Sequence, residues 1–211
     1  MSTSLELYGA KTGNCIRVSI SLEEASLPYT VRPVDLAAGQ HRAGGHLSLN
    51  PAGKVPVLVE PLPDGSRFVL SQSNAILLYI AQKSSSRLLP DNPQKRGRAY
   101  ERFFYFVTDV IAPSHASFAL RGGPNSQAIS LLNQHATNAL EFADAFVKHS
   151  RFIAGDEFSI ADISAFTIAE SLSSSLDWHS VPNLQRWFCE VAARPSVQRG
   201  LKAFDGIAAL A

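Results

Sequence analysis

Two dipeptides and one short loop carry the residue types and spacing that chemistry needs. At Val55-Pro56, proline opens a run that otherwise reads as a strand, where its missing N–H weakens the ladder. A cis peptide there turns the Val55 N–H and C=O outward as an edge for an extended peptide; a trans proline at a strand start is the plainer reading of the dipeptide alone. At Gln72-Ser73 a strand meets a helix. The first N–H groups of that helix and the Ser73 hydroxyl make a place for a carboxylate, and the Gln72 amide oxygen can accept from an ammonium. An α-amino acid head group fits both, while a simple Ser N-cap is the commoner use of such a serine. The third feature is Lys11-Thr12-Gly13-Asn14-Cys15-Ile16-Arg17. It lies between a strand and a helix, where backbone donors, the helix dipole, the Thr12 hydroxyl and the Asn14 amide can support negative charge.

The elements that must position these features follow from hydrophobic periodicity. Leu5 to Tyr8 is strand-like, Ile16 to Ala25 has apolar positions at helical spacing, and Tyr29 to Pro33 is a second strand, closing a parallel βαβ unit. After a Gly-rich stretch, Val55 to Val59 and Arg67 to Leu70 flank the Pro-Asp-Gly turn of 61–65 and pair as an antiparallel hairpin, followed by a helix over Ser73 to Lys83. The order β-α-β, link, β-β-α describes a mixed four-stranded sheet of thioredoxin-like type over residues 1–82. Serines and prolines of 83–93 read as a linker, and from 94 to 211 the pattern is all-α. There Ile129, Leu132, Ala136, Leu140, Ala143 and Val147 mark one face of a long helix, and Ser159 to Asp162 is a capping box with Phe158 and Ile163 as its staple. Leu184, Trp187, Phe188 and Val191 form a last apolar stripe ended by Arg194-Pro195.

Charge and composition narrow the function classes. Nineteen basic residues against 18 acidic ones, with no run of either sign, supply no field for nucleic acid or an anionic membrane. No stretch approaches the roughly 18–20 apolar residues that span a bilayer, and the start, Met1 to Glu6, lacks the basic and apolar regions of a leader; a soluble, cytoplasmic chain is expected. Cys15 and Cys189 form neither a disulfide framework nor a metal-type pair, so free thiols and no metal are expected, with Cys189 a small buried hydrophobe.

Three motifs in order, Asn50-Pro51-Ala52-Gly53-Lys54-Val55-Pro56-Val57-Leu58, Gln72-Ser73-Asn74-Ala75-Ile76 and the Ser159-to-Asp162 box, make the chain resemble the cytosolic glutathione transferases along nearly its whole length. The resemblance implies an α/β plus all-α architecture and glutathione as co-substrate. It assigns the cysteinyl backbone of glutathione to Val55 before cis-Pro56, the γ-glutamyl group to Gln72 and Ser73, and the glycine end to Lys54 and His41. A free thiol of pKa about 8.5 must be made a thiolate at neutral pH, and a two-unit shift needs roughly 2.7 kcal/mol. Thr12, Asn14 and Cys15 are the catalytic candidates. Thr12-x-Asn14 resembles the bacterial nu class, which reduces disulfides with glutathione; Cys15 resembles the beta-class cysteine, offset by one residue from an ungapped match at Asn14. Tyr8 is read as a packing residue. The resemblance further implies a wall for a small hydrophobic electrophile from 103–121, with Tyr105, His115 and Arg121 as candidates, and a homodimer. Conjugation to an electrophile, disulfide reduction and a non-catalytic binding role remain the three functions open at this point.

Overall fold

The computed structural model describes residues 4–84 and 88–206, so the expected linker falls in part on residues outside the described ones. The chain divides into two compact units: one runs up to Leu88 and resumes at Arg194, the other spans Leu89–Ala193.

The first unit has, among the described residues, a four-stranded sheet in the order β2-β1-β3-β4. Strand β1 (Leu5–Gly9) leads to helix α1 (Gly13–Glu24) and then to β2 (Tyr29–Pro33), which pairs parallel to β1 with Leu5 opposite Tyr29. The short helix α2 (Gly44–Leu49) precedes β3 (Val57–Pro61) and β4 (Arg67–Ser71), an antiparallel pair in which Val57 faces Ser71. Helix α3 (Ser73–Lys83) follows directly. Strand β3 starts two residues later than the sequence suggests, because Val55 and the cis-linked Pro56 stand outside the ladder. Alternation along β1 buries Leu5 and Leu7 and leaves Glu6 and Tyr8 half-buried, whereas the interior strand β3 buries Val57, Leu58 and Val59 alike. Glu60 of β3 takes bonds from Tyr79 and Lys83 of α3, which sets α3 over that face of the sheet.

The C-terminal helix departs from the expected division. Helix α9 (Pro195–Lys202) packs on α1 of the first unit, although its sequence was grouped with the helical half. The cause is close contact. Ser19 donates to the Gly200 carbonyl at 2.7 Å, and a Cβ on Gly200 would lie 2.6 Å from the Ile20 side chain and 2.7 Å from its backbone. Arg194 pairs with Glu24 at 2.6 Å, and Arg199 with Glu23 at 2.6 Å.

The second unit is helical among its described residues: α4 (Pro93–Tyr105), a π-turn over Phe106–Ile111, α5 (Ala112–Ala119), α6 (Ser126–Phe142), α7 (Ile160–Leu172) and α8 (Pro182–Ala192). The expected long helix ends at Phe142 and tightens into a 3₁₀ turn, Ala143–Phe146, yet Ala136, Leu140, Ala143 and Val147 are buried as its phase predicts. The capping box forms as read. Asp162, fully buried, accepts from the Ser159 N–H, the Ile153 N–H and the Trp187 indole, each at 2.9 Å, and from the Ser159 hydroxyl at 3.3 Å. Burial pushes its carboxyl up to about 6 against these four donors, so the anion is what they hold at neutral pH. Cys189 is exposed on α8 rather than buried, since Leu184, Trp187 and Val191 take the inner stripe.

Two substitutions test these packings. Gly200→Ala should lower unfolding stability by about 1–3 kcal/mol, because the added methyl meets backbone as well as side chain. Asp162→Asn replaces one acceptor oxygen with a donor facing donors and should cost about 3 kcal/mol; urea unfolding of both variants measures the loss.

Candidate functional site

The site grows from the end of the sheet where β3 begins and β4 ends. Because Val57 pairs with Ser71, the residues just before β3 and just after β4 are brought to the same end. Gln72 there has φ 72 and ψ 107, a left-handed backbone that a non-glycine residue rarely adopts and that tends to mark functional sites. Gln72, not Ser73, is the N-cap of α3, and it makes no side-chain capping bond. Ser73 is the first helical residue. The opening N–H groups of this 11-residue helix therefore have no capping side chain, and the positive end of its dipole is left for an anion. Helix α1 is the opposite case: Thr12 caps it, its Oγ1 accepting from the Cys15 N–H at 3.3 Å. The Thr12 hydroxyl keeps its own proton to donate.

Behind both helix starts lies a residue that the sequence reading did not single out. Arg17 is 2% exposed, and its Nη1 donates to Asn14 Oδ1 at 2.8 Å and to Ser73 Oγ at 3.0 Å. Ser73 Oγ in turn lies 3.4 Å from Asn14 Oδ1. Asn14 and Ser73, 59 residues apart, thus share one cation. Burial pulls the Arg17 guanidinium down to about 10, which still leaves it charged at neutral pH. The missed signal was positional: Arg17 stands three residues after Asn14 on α1, which makes the two side chains neighbours on the helix surface.

The loop before β3 is held through its backbone. The Lys54 carbonyl faces His46 Nε2 at 3.0 Å and accepts from Asn50 Nδ2 at 2.8 Å, both side chains being buried. Gly53 has φ +59, and a Cβ there would lie 3.0 Å from the His41 carbonyl. The next peptide, Val55-Pro56, is cis, and among the described residues no backbone hydrogen bond involves Val55. Its N–H and C=O are an open edge of the kind that takes an extended peptide. Lys54 and Gln72 are exposed, and His41 is half-buried on a 3₁₀ turn, Gln40–Arg42. His46 and Asn50 were not identified from sequence because their contribution runs through a carbonyl, which no residue-type pattern records.

Cys15 is corrected. The thiol is wholly inaccessible, and a Cβ on Gly9 would lie 2.8 Å from its sulfur and 3.0 Å from the Phe204 ring. Burial raises the Cys15 thiol to about 11, with smaller opposing contributions from the Thr12 hydroxyl, the Ala10 backbone and the Arg17 charge. It packs as a core residue, and its burial disfavours the thiolate. Tyr8 also faces away from the helix starts: its hydroxyl approaches Glu6 at 3.4 Å and Arg67 at 3.5 Å, and it lines a small hollow of about 160 Å³ with Pro33, Val34, His46 and Leu49. In the second unit the Tyr105 hydroxyl is spent on the Ala139 carbonyl at 2.7 Å, while His115 and Arg121 are exposed. Among the described residues no group of three His, Cys, Asp or Glu side chains stands where it could hold a metal ion.

Comparison with known proteins places the chain in a family. The family model for the glutathione S-transferase N-terminal domain matches residues 3–82, and that for the C-terminal domain matches 108–195. A probable glutathione S-transferase of rice, GSTF2, is 30% identical over 210 residues, covering 92% of this chain and 94% of its own. Glutathione S-transferase GstB of Escherichia coli is 30% identical over 204 residues, covering 92% of this chain and 96% of its own. Among solved structures, a glutathione transferase of Burkholderia graminis with two glutathione molecules bound per subunit has a TM-score of 0.85 at 28% identity, covering 97% of this chain and 90% of its own. With a helix start open to an anion, a peptide edge beside it and both halves matched in order, the chain belongs to the glutathione S-transferase family.

Proposed function

We propose that this protein is a glutathione transferase that binds glutathione in its first unit and stabilises the thiolate for attack on small hydrophobic electrophiles. The observation that carries the reading is the uncapped start of α3 beside left-handed Gln72, one hairpin away from the open Val55 edge. The γ-glutamyl carboxylate goes to the α3 N–H groups and the Ser73 hydroxyl, its ammonium to the Gln72 amide oxygen, and the cysteinyl backbone to Val55. Lys54 and His41 serve the glycine carboxylate. The sulfur then lies near Thr12 and Asn14, whose O–H and N–H groups favour the anion in a site shielded from water. Holding the two reactants together supplies the rest of the rate.

A second reading, glutathione-dependent disulfide reduction on the same site, is favoured by the B. graminis relative, which holds two glutathione molecules per subunit. In that chemistry the thiolate attacks a disulfide sulfur, one thiolate leaves, and a second glutathione thiolate completes the exchange to glutathione disulfide. The burial of Cys15 makes a mixed disulfide on the protein itself the weaker route. The protein is further read as a cytoplasmic homodimer. Among the described residues no helix is long and apolar enough to cross a membrane, and Phe104, Phe118 and Phe142 leave apolar surface on the second unit for a partner.

Calorimetry at millimolar glutathione should show binding, and a flat trace would remove both enzymatic readings. Conjugation of a chlorinated nitroarene and reduction of 2-hydroxyethyl disulfide, assayed side by side, separate the two. Cys15→Ala should keep most activity in either assay; near-total loss would restore the cysteine to the mechanism. At mildly alkaline pH, iodoacetamide should label one thiol of the native protein, Cys189, and both thiols once it is unfolded in urea.

A further inference from the structure

An asparagine amide presents an acceptor on one side and a donor on the other, and only the donor stabilises an anion. For Asn14 the structure supplies a reason why one side is turned inward. Arg17 has donors alone, and its Nη1 lies 2.8 Å from the Asn14 oxygen. The Ser73 hydroxyl, 3.4 Å away, meets the same oxygen. Turning the amide over would set its NH₂ against a buried guanidinium, leaving donors facing donors where water cannot satisfy them.

We infer that Arg17 is a positioning residue that fixes the Asn14 amide with Nδ2 outward, so that a hydrogen-bond donor faces the glutathione sulfur. The inference rests on the reading that glutathione binds with its sulfur near Thr12 and Asn14. Arg17 acts at the other end of the ligand as well. By donating to Ser73 Oγ at 3.0 Å it occupies an acceptor site of that hydroxyl, which keeps the serine O–H for the Asn14 oxygen or for a ligand carboxylate. One buried side chain thus orders a donor for the thiolate and a donor for the γ-glutamyl carboxylate. Its positive charge, held in a poorly screened interior, favours both anions. The proton lost by the glutathione thiol goes to water, so no base in the protein is needed.

The test is a pH titration of the thiolate absorbance of bound glutathione, made on the full-length protein together with calorimetry. Wild type should bind glutathione and show a thiolate midpoint below that of the free tripeptide. Arg17→Met should raise the midpoint by about one pH unit, roughly a tenfold loss of thiolate at neutral pH, and weaken binding as the Ser73 donor loses its orientation. Arg17→Lys, which keeps the charge but not the planar fork, should recover part of both. Asn14→Asp leaves Arg17 in place but presents oxygen to the sulfur, so it should raise the midpoint as far as Arg17→Met does. Should Arg17→Met fail to fold, Arg17→Lys and Asn14→Asp carry the same test. A variant of Arg17 that binds glutathione with the wild-type midpoint overturns the inference, whatever stability it has lost. A wild type that binds no glutathione overturns the parent reading and the inference with it. Binding by wild type with an Asn14→Asp midpoint unchanged overturns the inference alone.

Discussion

A buried guanidinium is the constraint on which the first unit turns. Arg17 projects from α1 beneath the starts of two helices, and an arginine so placed must be surrounded by acceptors to be tolerated at all. Asn14 and Ser73 are two of its acceptors, and they are held 3.4 Å apart although they are 59 residues apart in the sequence. Solvating one internal charge thus also brings the starts of α1 and α3 together. Its neighbours divide the work. Thr12 closes the start of α1, Gln72 leaves the start of α3 open, and the two helix dipoles converge on one region from different strands of the same sheet.

Where hydrophobic period and turn chemistry govern, the fold was legible in the sequence. Strand β2 falls on Tyr29–Pro33, α3 on Ser73–Lys83, and the Ser159 box sits where its S-x-x-D spacing puts it. The cis peptide at Pro56 and the pairing of the two dipeptides at one sheet end also agree with the motif reading. What escaped was set by long-range contact. Spacing along α1 makes Arg17 a neighbour of Asn14, but nothing local shows that a charge there has Ser73 to meet. Helix α9 looks like any amphipathic segment following helices, and the fit of Gly200 against Ile20, with the ion pairs to Glu23 and Glu24, assigns it to the sheet-bearing unit.

Cysteine shows the same division sharply. Composition alone distinguishes neither Cys15 from Cys189 nor a nucleophile from a filler. Cys15 occupies a favourable address, the first turn of a helix, where a dipole would lower a thiol's pKa if solvent could reach it. The absence of a Cβ on Gly9 instead lets the sulfur tuck into the core beside Phe204, so desolvation outweighs the dipole. Cys189 was read inward from its neighbour Phe188, yet a single step around α8 turns it out to solvent.

The packing of α9 against α1 also bears on how the protein is made. Ser19, Glu23 and Glu24 precede their partners at Gly200, Arg199 and Arg194 by 170 to 181 residues, with the whole helical unit in between. At roughly 5–20 residues per second, the first unit waits roughly 9–36 s with one flank of α1 bare. The helical unit, uninterrupted in sequence, can mature during that interval, so order of synthesis and order of completion run in opposite directions.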